Sequence, residues 1–445
     1  MHPKLYQTLR RLWPGGRETR RHWQLLEQNQ WLSTDTFQAL QLYKIQRLVS
    51  HAYLHVPFYR QHYQAAGVHP DDIKSLADFA KLPFLTRDDV NQNRDELLVD
   101  NVNKADLYFN ETGGSTGHPM QFYVADTFWW ANQANNFRMH GWYGKQEGDK
   151  AAWLWGAEAD MPSWSWRRRL RSALMQERYL NAFTMTEEKM DVFAKMLLIW
   201  KPVMYKGYGS VLTLFAEFVK QKGYVLRPRF IEVTSEKLYD AQRTLIEEVF
   251  SCPVVDHYSS REMGSMAYQS PAGPMLSLAD MRYMEVVANG QPVSQGTMGE
   301  VVMTSLTQYA FPFIRYKNGD MAIMGEEPSP CGRVFPTIKE LVGRTNDFLV
   351  SVDGKFIHSE FFAYTFRVKP EVARFQIYQP DRQHLEVRLS LRQEVTQDWL
   401  NNAKAEVQER FGAATRITLE IVDDIELTTA GKHRYIISDV KPDFM

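Results

Sequence analysis

The sequence predicts an α/β protein with a β-rich subdomain in a large N-terminal domain, followed by a small α+β domain at the C-terminal end. Three patterns carry this. Helical periodicity alternates with short apolar strands from "KMDVFAKMLLIWKP" to "PVVDHYSS". A group of short strands with turn signals follows, and then a strand–helix–strand segment closes the chain. Strands alternating with helices imply α/β units around a mainly parallel sheet. The domain boundary is expected between residues 345 and 346, giving 1–345 as the large N-terminal domain and 346–445 as the small C-terminal domain.

The elements justify themselves in order. "TFQALQLYKIQRLVSHAYLHV" sets Leu40, Leu42, Ile45, Leu48 and Val49 largely on one face, as an amphipathic helix does, and Pro57 stops it. "HPDDIKSLADFAKLP" predicts a second, capped helix. "GSVLTLFAEFVKQKG" is a helix ending at Gly223, "RFIEVTS" a strand and "DAQRTLIEEVF" a helix. "PVVDHYSS" predicts a strand that ends at Asp256 and opens into a loop. "GEVVMTSL", "FIRYKNGDMAIMG" and "FLVSVDGKFIH" predict short strands. "RFQIYQPDRQHLEVRLSL" predicts a hairpin, "TQDWLNNAKAEVQERFG" a helix with a Thr cap and a Gly stop, and "TRITLEIVDD" a strand.

Composition bounds the function. Lys+Arg 52 against Asp+Glu 53 argues against a general nucleic-acid binder. Two cysteines, Cys252 and Cys331, make no disulfide framework and point to a reducing compartment. The N-terminus has no apolar core of signal-peptide length, and no apolar run is long enough to span a bilayer. The expectation is a cytoplasmic protein.

Five segments carry candidate chemistry. "TGGSTGHP" exposes backbone N–H groups and hydroxyls that can converge on a phosphate, or else is a surface turn. It lacks the Gly-Lys-[Ser/Thr] ending of a Walker loop and runs into the strand-like "MQFYV". In "VVDHYSSREMGS", Tyr258 offers an aromatic face and Glu262 a carboxylate for Mg2+. In "FIRYKNGDMAIM", Asp320 follows a Gly turn, where it can accept from a ribose or simply close a hairpin. "ELVGRTNDFLV" has the look of an inter-domain turn, and "LTTAGKHRYIIS" sets Lys432 near the C-terminus. The four arginines at 167–169 and 171 read as a solvated helix face.

The order of these five resembles the adenylate-forming superfamily of AMP-forming ligases. More narrowly it resembles the phenylacetate–CoA ligase-like group and its capsule-biosynthesis (CapK-type) branch, through "TGGSTG", "YSSREMG", "CGRVFPTIKELVGR" and "AGKHRYIISDV". The resemblance runs from about Tyr53 to the C-terminus. It implies that Thr112, Gly113, Gly114, Ser115, Thr116 and Gly117 hold the ATP β- and γ-phosphates. It implies Tyr258 against adenine, Asp256 at its amino group, Glu262 on Mg2+, and Asp320 on the ribose hydroxyls with Arg344 nearby. Lys432 would stabilise charge during adenylation, and the small domain would swing about a hinge at Asn346.

Departures are visible. His118 stands where the family usually carries Lys, Asn346 where it usually carries Asp, and Ser259 where many relatives have Gly. Cys331 stands alone, so no zinc site is expected. The implied activity is ATP-dependent activation of a small carboxylate as an acyl-adenylate, then transfer to an amine acceptor in surface-polysaccharide biosynthesis. Coenzyme A as acceptor stays open, as do a phosphotransferase and an inactive scaffold as more distant readings.

Overall fold

The computed structural model describes residues 15–112, 120–155, 172, 175–182, 185–344, 348–353, 356–358, 362, 365–366, 369–426 and 435–440. The chain opens with helices α1 (Gly16–Asn29), α2 (Thr34–His55) and α3 (Pro57–Ala65). Ser33 caps α2 by accepting from the Thr36 amide. Pro57 ends that helix and also opens the next, where a missing N–H costs nothing.

The helix expected over "HPDDIKSLADFAKLP" is absent. Two short 3₁₀ turns, Pro70–Asp72 and Asp78–Lys81, stand there instead. The reason is local. The Asp78 carboxylate accepts from the Lys74 amide and the Ser75 hydroxyl, and Asp72 accepts from the His69 amide, so side chains take the bonds a helix would need. Helix α4 (Arg87–Gln92) follows, boxed by Thr86 and Asp89.

A hairpin of β1 (Tyr108–Glu111) and β2 (Gln121–Val124) comes next, and then α5 (Asp126–Trp142). The main sheet is built from β3 (Ala151–Trp155), β4 (Glu177–Asn181), β5 (Met204–Gly207), β6 (Phe230–Thr234), β7 (Val254–Ser260), β8 (Gly264–Gln269), β9 (Met275–Ser277), β10 (Arg282–Ala288), β11 (Gln291–Pro292), β12 (Met298–Ser305), β13 (Tyr316–Met324) and β14 (Thr337–Arg344). Helices α6 (Glu187–Trp200), α7 (Gly209–Lys222) and α8 (Asp240–Phe250) connect its parallel strands.

The α/β half and the β-rich half are one hydrogen-bonded sheet, in the order β11-β10-β12-β13-β14-β9-β8-β7-β6-β5-β3-β4. Strands β4, β3, β5, β6 and β7 are parallel, and from β7 onward each neighbour is antiparallel. One apolar core lies between α2–α4 and the antiparallel strands, around Ile45, Tyr59, Phe79 and Phe313. A second packs α6–α8 on the parallel strands, around Phe193, Phe215, Ile231 and Phe250.

The C-terminal part has a separate sheet. A short hairpin, β15 (Phe348–Val350) and β16 (Phe356–His358), precedes β17 (Val372–Asp381), β18 (His384–Leu391), α9 (Gln397–Phe411), β19 (Arg416–Ile421) and β20 (Ile436–Ser438). Its order is β19-β18-β17-β20, with β17 and β18 antiparallel and both outer pairs parallel. Gln379, fully buried on β17, accepts from the Val350 amide and donates to the Val350 carbonyl, so the hairpin is fastened to this sheet.

Candidate active site

Two strands that are not neighbours in the sheet bring the candidate residues together. The strand predicted to end at Asp256 continues to Ser260, so Asp256 and Tyr258 both lie on β7 and share one face, two residues apart. Asp320 lies within β13 and not on a hairpin turn. Gly319 adopts φ 80, and the pairing with β12 shifts register between Val302–Lys317 and Glu300–Met321. The Asn-Gly-Asp signal thus marks a bulge, which re-aims a side chain without ending the strand.

That bulge turns Asp320 towards β7. The Tyr258 hydroxyl donates to Asp320 Oδ2. Asn318 Nδ2 donates to the Tyr258 oxygen at 2.6 Å and to Asp320 Oδ2 at 2.9 Å, while Asn318 Oδ1 accepts from the Asp320 amide at 3.1 Å. Burial and the Asp320 charge both push the Tyr258 phenol well up, so it stays a donor at neutral pH. Asp256, Tyr258 and Asp320 line a cleft of about 900 Å3 together with Ser235, Glu236 and Lys339. Burial raises the Asp256 carboxyl to about 6 against the pull of Arg243.

Glu262 sits in the turn between β7 and β8 and is buried, with its carbonyl accepting from Gln308 Nε2 at 3.1 Å. Beside it, Arg261 Nη1 reaches Asn110 Oδ1 on β1 at 3.5 Å. Thr112 closes the stem of the glycine-rich loop. Its amide donates to the Met120 carbonyl at 2.9 Å, and its hydroxyl accepts from the Met120 amide at 2.9 Å and from Arg87 at 3.2 Å. The turn carrying Glu262 therefore lies one side chain from the hairpin that carries the loop.

Behind Tyr258 lies a feature the motifs did not disclose. Glu232 on β6 is fully buried. Its Oε1 accepts from Lys206 Nζ on β5 at 2.6 Å and meets His257 Nδ1 on β7 at 2.8 Å. Its Oε2 meets His140 Nε2 on α5 at 2.9 Å and accepts from the Tyr268 hydroxyl on β8 at 2.9 Å. Burial alone would raise this carboxyl, but Lys206 and the two histidines outweigh it and hold it well below the usual range. Burial lowers His257, and takes His140 to about 4, so both rings are neutral at pH 7. The available signal was a charged residue inside each of two apolar strands, Glu232 in "FIEVT" and Lys206 in "MYKG".

Residues 349–439 match the CapK C-terminal domain family. The chain is 26% identical over 381 residues to Protein CapK of Staphylococcus aureus, spanning 82% of both. It is 26% identical over 337 residues to phenylacetate-coenzyme A ligase of Aromatoleum evansii, spanning 72% of both. The crystal structure of 2-hydroxyisobutyryl-CoA ligase with 2-HIB-AMP matches over 93% of this chain and 92% of that one, with TM-score 0.72 and 22% identity. The chain is a homologue of CapK and the phenylacetate-CoA ligases. Its fold is that of the adenylate-forming ligases.

Asp256, Tyr258 and Asp320 converge on one cleft, whereas Thr112, at the stem of the glycine-rich loop, and Glu262, in the β7–β8 turn, are outside its lining. Arg344 is opposite Asp320 in the β13–β14 pairing, and its side chain lies outside the described residues. Gly113, Gly114, Ser115, Thr116, Gly117 and His118 also lie outside them, as do Asn346, Lys432 and the arginines at 167–171. Sequence reasoning missed Asn318, whose signal was its place two residues before Asp320 on the far side of a positive-φ glycine.

Proposed function

We propose that this chain uses ATP to activate a carboxylate as an acyl-adenylate and then passes the acyl group to an acceptor. The observation that carries the reading is the Tyr258–Asp320–Asn318 constellation at a cleft on an adenylate-forming ligase fold. A carboxylate is a poor acyl donor because its leaving group is poor. Its attack on the ATP α-phosphate releases pyrophosphate and makes AMP the leaving group.

Each residue has a task in that sequence. Asp320 accepts from the ribose hydroxyls, Tyr258 packs on adenine, and Asp256 accepts from the adenine amino group. Thr112 and the loop to Gly117 hold the β- and γ-phosphates, with Arg344 near the ribose. Lys432 compensates charge in the adenylation transition state, and Asn346 is the hinge between 1–345 and 346–445. Among the described residues no group of three or more His, Cys, Asp or Glu side chains is placed to hold a metal. Mg2+ is bound through one or two carboxylates plus substrate phosphates, and Glu262 is the carboxylate proposed for it. When bound, the ion neutralises phosphate charge.

The acceptor divides the relatives. Phenylacetate-coenzyme A ligase is the name of several of them, which favours coenzyme A. The motif resemblance to the capsule-biosynthesis branch favours surface-polysaccharide biosynthesis in the cytoplasm as the context, and an amine is the acceptor proposed for it. A carboxylate panel read by pyrophosphate release, with coenzyme A and amine acceptors added separately, decides between them. ADP release in place of pyrophosphate would overturn the ligase reading. Lys432→Ala should lower adenylation by about 10²–10³-fold and spare transfer from preformed acyl-adenylate, and equal loss of both would remove Lys432 from this role.

A further inference from the structure

The Glu232 cluster lies outside every role assigned above, yet it touches the strand that carries two of them. Glu232 has four acceptor positions and four neighbours to fill them: Lys206, His257, His140 and Tyr268. These neighbours come from β5, β7, α5 and β8, so one carboxylate ties four elements to β6. His257 stands between Asp256 and Tyr258 and, by strand alternation, its ring points to the opposite face of the sheet. That ring is held at both nitrogens, with Nδ1 2.8 Å from Glu232 Oε1 and Nε2 3.0 Å from Ser265 Oγ. It also meets Tyr268 edge-on at 5.3 Å.

Glu232, His257 and Ser265 have the connectivity of a hydrolytic triad, and the surroundings argue against that use. Ser265 is buried, so a substrate carbonyl has no approach to its hydroxyl. Glu232 is already compensated by Lys206, which removes its reason to stabilise an imidazolium. The protons give a fixed arrangement instead. A neutral His257 donates from Nδ1 to Glu232, so Nε2 accepts the Ser265 proton, and the longer 3.4 Å approach of Ser265 to Asn136 Oδ1 goes unused.

We infer that His257 is a positioning residue for the nucleotide: its Nδ1–H bond to Glu232 locks β7 so that Asp256 and Tyr258 meet ATP in a fixed geometry. The inference rests on the proposed function. It concerns ground-state binding, because the groups it orients touch the nucleoside and not the reacting atoms. Groups that orient binding groups, or misplacements of about an ångström, typically cost about 10–100-fold.

Two amide variants separate this from mere structure. In His257→Asn the side-chain nitrogen falls near Nδ1 and keeps a donor for Glu232. In His257→Gln it falls near Nε2, reaches Ser265 and leaves Glu232 short of a donor. Mg-ATP affinity is read by calorimetry, with pyrophosphate release at saturating ATP beside it. His257→Asn should stay within about threefold of the wild type, and His257→Gln should bind Mg-ATP about tenfold or more weakly at a nearly unchanged saturated rate. Equal affinities in the two variants, whether both intact or both weakened, overturn the inference, as does a loss confined to the saturated rate. If the wild type itself fails to bind Mg-ATP, the nucleotide site falls, and that outcome is visible before either variant is made.

Discussion

Two carboxyls on opposite faces of the sheet, Asp256 on β7 and Glu232 on β6, are held in opposite states. On the cleft face Asp256 is pushed up to about 6, because burial is answered mainly by Arg243 at a distance. On the core face Glu232, one strand away, is held well below its usual range although it is fully buried, because the Lys206 charge and the two histidines outweigh that burial. Burial alone therefore does not set the charge state of a carboxyl; the opposite charges and hydrogen bonds beside it also count. The acceptor positions of Glu232 on the core face are filled. The cleft face is under-compensated, which is the condition of a group whose donors arrive with a ligand.

The largest test of this contrast is Glu232→Ala. It leaves the buried Lys206 ammonium without its carboxylate, and breaking a buried pair from one side costs about 3–5 kcal/mol. A denaturant midpoint corresponding to a loss under about 1 kcal/mol would show that the core face is not the anchor we describe.

Asp320→Ala should act on binding more than on folding, since water in the cleft can replace the lost acceptor for Tyr258 and Asn318. Two charge-assisted hydrogen bonds to the ribose, each worth about 1.5–3 kcal/mol, predict Mg-ATP affinity weaker by about 100-fold or more. Calorimetry that finds wild-type ATP affinity, or an equal loss for the acyl substrate, removes Asp320 from the ribose.

The smallest effect is a pH dependence at Asp256. Its carboxyl titrates at about 6 in the folded chain against an ordinary 3.8, so the folded state holds the proton more tightly than the unfolded one. Its favourable contribution is complete below about pH 4 and is lost as pH rises through about 6. Asp256→Asn should accordingly stabilise the protein by about 1–2 kcal/mol at pH 8 and by nothing at pH 4. In the proposed role the adenine amino group donates to Asp256, so ATP should prefer the ionised carboxylate. Wild-type affinity should therefore fall relative to Asp256→Asn as pH drops below about 6, a comparison in which phosphate titration cancels. A parallel pH profile for the two proteins would place Asp256 away from the base.

Much of this site was legible in sequence because motifs are local. Asp256, Tyr258 and Asp320 stand out through the order of five motifs and the resemblance it carries, and the fold brings all three to one cleft. The fold class and most helices also followed from periodicity, as with α8, which spans Asp240–Phe250 as read. What escaped depends on long-range pairing. No periodicity shows that β7 continues past Asp256, because Tyr258 and Ser259 gain their strand geometry from β8. The Asn-Gly-Asp stretch has the same letters whether it closes a hairpin or bulges a strand, and β12 decides for the bulge. The joining of the two halves into one sheet rests on short β9 pairing with both β8 and β14. Glu232 was passed over because its four neighbours come from segments as far apart as His140 and Tyr268.

Gln379 has a consequence for chain exchange between relatives. Its two bonds to Val350, together with Leu349 and Ile357 in the same apolar core as Phe375 and Val387, make the β15–β16 hairpin part of the C-terminal unit. A chimaera that imports a foreign C-terminal domain should therefore be spliced ahead of Phe348. A junction placed after His358 would leave the hairpin behind without Gln379 and strand the amide and carbonyl of Val350.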